Sequence, residues 1–287
     1  MGEPWREVAD RVFVRRHESF DLNVGLVVGD GACLVIDTRM SHRQARDLIA
    51  AIRTVTPHPW TVVNTHAHFD HYFGNAEFRP AQIWGLDRCA ERIVEYGAVH
   101  RAAVAGHAEK DGDAAVLADM AELRIDPPDR TFADTATLDV GGRTAHLRHL
   151  GRGHTDSDIV LEIPDAGVLF AGDLVEEGAP PAFGDGFPMD WPATMDNLRR
   201  YVHGPVVPGH GAVTDLPYVD HQAQELAEAA AAARAAFTAG RTVDEAWPDL
   251  PYPEETARDA LTRAYRQLRG DPPYEPPHQW LADLTEL

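Results

Sequence analysis

Four side chains able to bind a metal, His66, His68, Asp70 and His71, fall within the six residues His66-Ala67-His68-Phe69-Asp70-His71. Imidazole nitrogens and carboxylate oxygens are the donors that divalent first-row ions take at about 2.0–2.2 Å. At a strand end, residues two apart project to the same side, so His66 and His68 can share one ion. Asp70 and His71, beyond a turn, can reach a second ion. Three further metal-capable side chains follow apolar runs and stand beside glycine: Gly153-His154-Thr155, Ala171-Gly172-Asp173 and Pro208-Gly209-His210-Gly211. Glycine lets backbone pass close to a crowded site. Any one of these three could be a turn residue; together with the first cluster they point to a metal centre.

The elements that would carry these residues can be read from periodicity. Strand character marks residues 11–16, 23–28 and 32–37, the last two separated by the turn Gly29-Asp30-Gly31. Ser41 caps a helix to about Thr54, with Ala45, Leu48, Ile49 and Ile52 at helical spacing, and Pro57 and Pro59 stop it. The strand at 60–64 runs straight into the first cluster. A short strand at 82–85 leads to a mainly helical stretch, 86–123, expected to break at Gly97, Gly106 and Gly112. Strands are then expected at 137–140, 144–150, 158–163 and 168–171, the last ending just before Asp173. A helix at 193–201, a strand at 206–208 and a helical segment from 216 complete the pattern. Two strand-and-helix blocks, each burying one sheet face on the other, imply an α/β fold of αββα layering. Residues 1–215 form the expected catalytic domain, with 216–287 a helical extension packed on it.

Twenty-six Lys plus Arg against 46 Asp plus Glu give a net charge of −20 over 287 residues. That field repels phosphate backbones, and no basic run offsets it, so nucleic acid is not an expected partner. No stretch approaches the roughly 20 apolar residues of a membrane helix and no export signal is recognisable, so a cytoplasmic protein without a membrane partner is expected. Cys33 and Cys89 are too few for a disulfide framework and read as small buried hydrophobes.

Taken in order, His66-Ala67-His68-Phe69-Asp70-His71, His154, Asp173 and His210 resemble the ligand motifs of the metallo-β-lactamase superfamily, over roughly residues 11 to 215. The resemblance implies that His66, His68 and His154 hold a first ion, that Asp70, His71 and His210 hold a second, and that Asp173 bridges them. It implies a dinuclear zinc hydrolase, two Zn2+ per chain with iron or manganese as alternatives, using a metal-bridging hydroxide on a small-molecule ester, thioester, lactone or amide. Asp70 would pass a proton to the leaving group. Asn64 and Thr65 are candidates to orient the loop. Aspartate at 173, where the family's secreted β-lactamases typically carry Cys or Ser, argues against a dedicated antibiotic-resistance enzyme. Residues 216–287 hold six Arg and no Lys against thirteen Asp plus Glu, unlike a glutathione-binding thioesterase or an RNA-processing nuclease. A mononuclear iron dioxygenase on the same scaffold and a metal-binding pathway partner without turnover remain open, as does the oligomeric state. His17, His42, His58, His203, His221 and His278 read as surface residues. His146 and His149 are candidates to support the ligands, and His100 and His107 to touch substrate. Tyr72, Phe73, Phe183, Phe187 and Trp191 serve equally as pocket walls or as core.

Overall fold

Strands β1 (Arg6–Ala9), β2 (Val12–Arg16), β3 (Asn23–Val28) and β4 (Cys33–Ile36) pair antiparallel in sequence order in the computed structural model, which describes residues 4–272. β1 is an additional, largely solvent-facing edge strand with an irregular register, which explains why no alternation announces it. Ser41 then opens α1 (His42–Val55), its hydroxyl accepting the Gln44 amide at 3.2 Å. Ala45, Leu48 and Ile52 form the buried stripe of this helix. Burying the Leu48 and Ile52 side chains stabilises by about 1.5–3 kcal/mol each.

Strand β5 (Trp60–Val63) lies parallel to β4, and its end delivers the chain to the short helix α2 (Phe69–Tyr72). β6 (Ile83–Leu86) follows, then α3 (Asp87–Asp111), α4 (Ala114–Glu122) and β7 (Arg130–Phe132), completing a seven-stranded sheet in order β1 to β7. α3 runs unbroken through Gly97 and Gly106, contrary to expectation, and ends at Gly112, whose φ of +71° suits a left-handed cap. Gly97 has a packing role: a Cβ there would stand 2.8 Å from Ile125 Cγ2 and 3.1 Å from Tyr72 Oη.

β8 (Thr135–Val140), β9 (Arg143–Arg148), β10 (Val160–Ile163) and β11 (Val168–Glu176) continue the chain, followed by α5 (Trp191–Leu198) and β12 (Val206–His210). The second sheet has the order β12-β11-β10-β9-β8, with β12 parallel to β11 and the other pairs antiparallel. β11 is longer than its apolar run: it continues through Asp173 to Glu176, so Asp173 sits within a strand and not after one. Helices α6 (Leu216–Thr238), α7 (Val243–Ala246) and α8 (Glu254–Arg269) close the described chain.

Three apolar layers hold these parts together. Between the sheets, Val12, Leu34 and Ile36 meet Leu138, Leu147, Leu161 and Phe170. Leu48 and Ile52 of α1 cover the outer face of the first sheet against Leu26, Val35 and Val62. Trp191, Met195, Leu226 and Leu261 of α5, α6 and α8 cover the second against Val160, Leu169 and Leu174. The architecture is αββα, with the C-terminal helices sharing the core of the second sheet. Both cysteines are free and buried.

Candidate metal centre

All seven expected ligands converge at one end of the two sheets, in two groups: His66, His68, His154 and Asp173, and Asp70, His71 and His210. Within each group the potential donor atoms lie within 4.8 Å of one another. His66 lies in a bend just after β5 and His68 in extended backbone ahead of α2, which turns the chain so that Asp70 and His71 join the second group. His154 comes from the loop between β9 and β10, and His210 is the last residue of β12. Asp173 reaches the centre because β11 deforms at Gly172, whose φ is +53° and whose pairing with β12 shifts register on both sides. A left-handed residue there requires glycine or strain.

Asp173 stands between the groups. Its Oδ2 lies 3.4 Å from His66 Nε2, 3.3 Å from His154 Nε2 and 3.2 Å from His210 Nε2, and its Oδ1 lies 3.3 Å from His71 Nε2. Asp70 Oδ2 lies 3.4 Å from His71 Nε2 and 3.5 Å from His210 Nε2. Nε2 of His66, Nε2 of His71 and Oδ1 of Asp173 are buried without a hydrogen-bond partner, although buried polar atoms are nearly always paired. Nitrogen and carboxylate donors left free and pointed at a common centre fit divalent ions.

The opposite nitrogen of each histidine is engaged, which selects the atom left for a metal. His66 Nδ1 lies 3.0 Å from Thr65 Oγ1, and His71 Nδ1 lies 2.8 Å from Asp37 Oδ2. Nε2 of His68 meets Asp185 Oδ1 at 3.0 Å, leaving its Nδ1 facing His154 Nε2 at 2.8 Å. His154 Nδ1 faces the Ala182 carbonyl at 3.3 Å and Glu176 Oε1 at 3.5 Å, and His210 Nδ1 donates to the Phe20 carbonyl at 2.5 Å. Thr65 also donates to Asp37, and Asn64 Nδ2 donates to the His71 carbonyl at 3.2 Å, so both orient the loop.

Electrostatics tie the groups into one unit. Burial alone would raise the Asp173 carboxyl, yet His71, His210, His66 and His154 hold it well below the usual carboxylate range. Asp70 is likewise held down, to about 2, by His71 and His210 against its burial. Burial opposes a charged His210, but Asp173 and Asp70 lift it to about 10; Asp173, Asp70 and Asp37 lift His71 well above the usual range. Burial lowers His154 to about 4 and His66 well below the ordinary value. The carboxylates thus demand positive charge, which protons on two histidines or bound cations satisfy.

Sequence reasoning missed Asp37, Asp185 and Glu176, which touch ligands from other segments. It also misplaced two histidines. His17 is fully buried beside the Arg39 guanidinium, and His42 is buried, its Nε2 accepting the Arg124 amide at 2.9 Å. His203 and His221 are exposed and His58 is half-buried; His278 lies outside the described residues. His149 Nδ1 donates to the Asp158 carbonyl at 2.7 Å in the His154 loop, whereas His146 bonds Thr137 on an exposed strand face. His100 is buried, its Nδ1 3.5 Å from Tyr72 Oη, and His107 bonds the Ala103 carbonyl within its own helix. Tyr72, Phe73, Phe183, Phe187 and Trp191 are all buried, so they are core.

Among the described residues, no helix is long and apolar enough to cross a membrane. The chain is 29% identical to a metallo-beta-lactamase type 2 of Bacteroides fragilis over 112 residues, 36% of this chain and 43% of that enzyme. It is 26% identical to an acyl-coenzyme A thioesterase of Gallus gallus over 215 residues, 66% of this chain and 72% of the relative. A solved metallo-beta-lactamase from Pontibacter korlensis superposes with a TM-score of 0.62 at 21% identity, over 79% of this chain and 99% of that one. The family description "Metallo-beta-lactamase superfamily" matches residues 20–210, which include all seven metal-capable side chains, and the chain belongs to that superfamily.

Proposed function

We propose that this protein is a dinuclear metal-dependent hydrolase acting on a small carbonyl substrate: an ester, thioester, lactone or amide. The observation that carries this reading is the position of Asp173, one carboxylate facing His66 and His154 with Oδ2 and His71 with Oδ1. His66, His68 and His154 would hold one ion and Asp70, His71 and His210 the other, with Asp173 shared. Zinc suits this mixed imidazole and carboxylate set, and iron or manganese are the alternatives. Divalent ions bound there supply Lewis acidity and a water activated at neutral pH. The chain's own residues do the rest. Thr65, Asp37, Asp185 and the Phe20 carbonyl fix the imidazole orientations, and Asp70, a member of the second group, would carry the proton to the leaving group. The relative described as an acyl-coenzyme A thioesterase supports carbonyl chemistry. A net charge of −20 disfavours polyanionic substrates, coenzyme A conjugates and RNA included.

Elemental analysis of protein purified without chelator, followed by kcat/KM for a chromogenic ester, an acyl lactone, a cephalosporin reporter and a phosphodiester, tests the reading. Two ions per chain and a preference for the ester or lactone are expected. A preference for the phosphodiester or efficient cephalosporin cleavage rejects the substrate class. One iron per chain would favour the dioxygenase, and bound metal without turnover the non-catalytic partner.

A further inference from the structure

His68 depends on a carboxylate 117 residues away, since its Nε2 is held by Asp185 Oδ1 at 3.0 Å. Asp185 lies in a turn, outside any strand or helix, so its carboxylate is only as fixed as its backbone. That backbone is clamped by the C-terminal helix α8. Buried Arg263 donates from Nη2 to the Asp185 carbonyl at 2.9 Å and from Nε to the Gly186 carbonyl at 3.1 Å. One turn further along α8, Gln267 Oε1 accepts the Met189 amide at 2.9 Å. The same loop reaches a second ligand: the Phe187 amide donates to the Gly153 carbonyl, next to His154, at 2.7 Å. Phe183 packs edge-on against Trp191, which packs against the His154 ring with centroids 5.9 Å apart.

We infer that α8 is part of the metal centre, with Arg263 the positioning residue that sets His68, and through the same loop His154, by pinning the backbone at Asp185 and Gly186. The inference rests on the metal-site reading above. Arginine suits the task because its planar fork presents two donors at a fixed angle to two neighbouring carbonyls, whereas a lysine ammonium is a point donor on a flexible stem. Without those donors, two buried carbonyls lose their partner and the loop relaxes to regain one.

Zinc affinity by competition with a chromophoric chelator, and the visible absorption of the cobalt(II)-loaded protein, test this on the full chain. Arg263→Met is expected to weaken zinc binding at the three-histidine group by about 10–100-fold and to alter the cobalt spectrum, with Arg263→Lys recovering part of the loss. Arg258→Gln, on the exposed face of α8 where Arg258 pairs with Glu254 and Asp244, is expected to match wild type. Wild-type affinity and spectrum in a folded Arg263→Met overturn the inference. If Arg263→Met fails to fold, Arg263→Lys decides it: weakened zinc with an altered spectrum supports the inference, and wild-type values overturn it. A wild-type chain that takes up no zinc overturns the metal-site reading, and this inference with it.

Discussion

The carboxylate of Asp37 lies 2.8 Å from Nδ1 of His71, and both side chains are buried. Asp37 also accepts the Thr65 amide at 2.8 Å, and it does so from left-handed backbone, φ +66°. One carboxylate therefore joins the end of β4 to the loop after β5. Asp37→Asn keeps the left-handed preference and the side-chain shape but gives up the charge that orients the imidazole. We expect metal affinity at the His71 group to fall by about 10–100-fold with folding retained, as read by chelator competition and circular dichroism. Unchanged affinity would remove Asp37 from the centre.

Replacing a ligand outright is a harsher test. Asp173→Ala and His154→Ala should each reduce turnover at least ~100-fold while the fold survives, because the three apolar layers do not depend on either side chain. Asp173→Ala should also lower the bound metal per chain, since that carboxylate faces both groups. Exposed His203→Ala is the silent control. Full activity in either ligand variant sinks the assignment.

A steric probe reaches the same carboxylate from behind. A Cβ on Gly209 would stand 1.7 Å from Asp173 Oδ1, 2.9 Å from its Cγ and 3.0 Å from the backbone carbonyl carbon of Gly172. Gly209→Ala should therefore displace the Asp173 carboxylate, costing metal binding at least ~10-fold, while the tight approach to the Gly172 backbone lowers the melting temperature of the metal-free protein without abolishing folding. A loss of folding with no specific metal effect would contradict this.

Metal loading itself should stabilise the chain. An ion that binds the folded state at 100 times its dissociation constant adds about 2.7 kcal/mol. Thermal unfolding with stoichiometric zinc and with excess chelator measures the difference; identical transitions would argue that these seven side chains hold no ion.

Away from the ligands, buried His17 contacts the guanidinium of Arg39. Burial and the Arg39 and Arg15 charges lower the His17 pKa to about 2, so the folded state keeps this imidazole neutral. The unfolded chain protonates it near 6.5. Between those values the unfolded state binds more protons, so this contribution is complete above pH 6.5 and is lost as pH falls toward 2. His17→Gln, uncharged at every pH, should flatten the acid side of the stability profile relative to wild type, by up to about 1.4 kcal/mol per pH unit. Parallel profiles for the two proteins would exclude His17 as a source of acid sensitivity.

The sequence alone determined the seven metal-capable residues, their order and the αββα class, because each signal is local. Two histidines separated by one residue at a strand end, a serine before an apolar helical stripe and glycines beside single ligands are visible in a short window. The extent of β11 was not, since pairing with β12 carries the strand through Gly172 beyond its apolar run. Nor was the continuity of α3, where tertiary packing at Gly97 overrides the weak helix propensity of glycine. Asn64 and Thr65, next to the first cluster, were legible as orienting residues, but the other atoms that orient the ligands were decided by tertiary structure. Asp37 and His71 are 34 residues apart, Asp185 and His68 117, and the Phe20 carbonyl and His210 190. A lone aspartate, a lone arginine such as Arg263 or a backbone carbonyl has no distinguishing pattern in one dimension; its role arises only when two sheets and α8 bring it against an imidazole or the loop behind one.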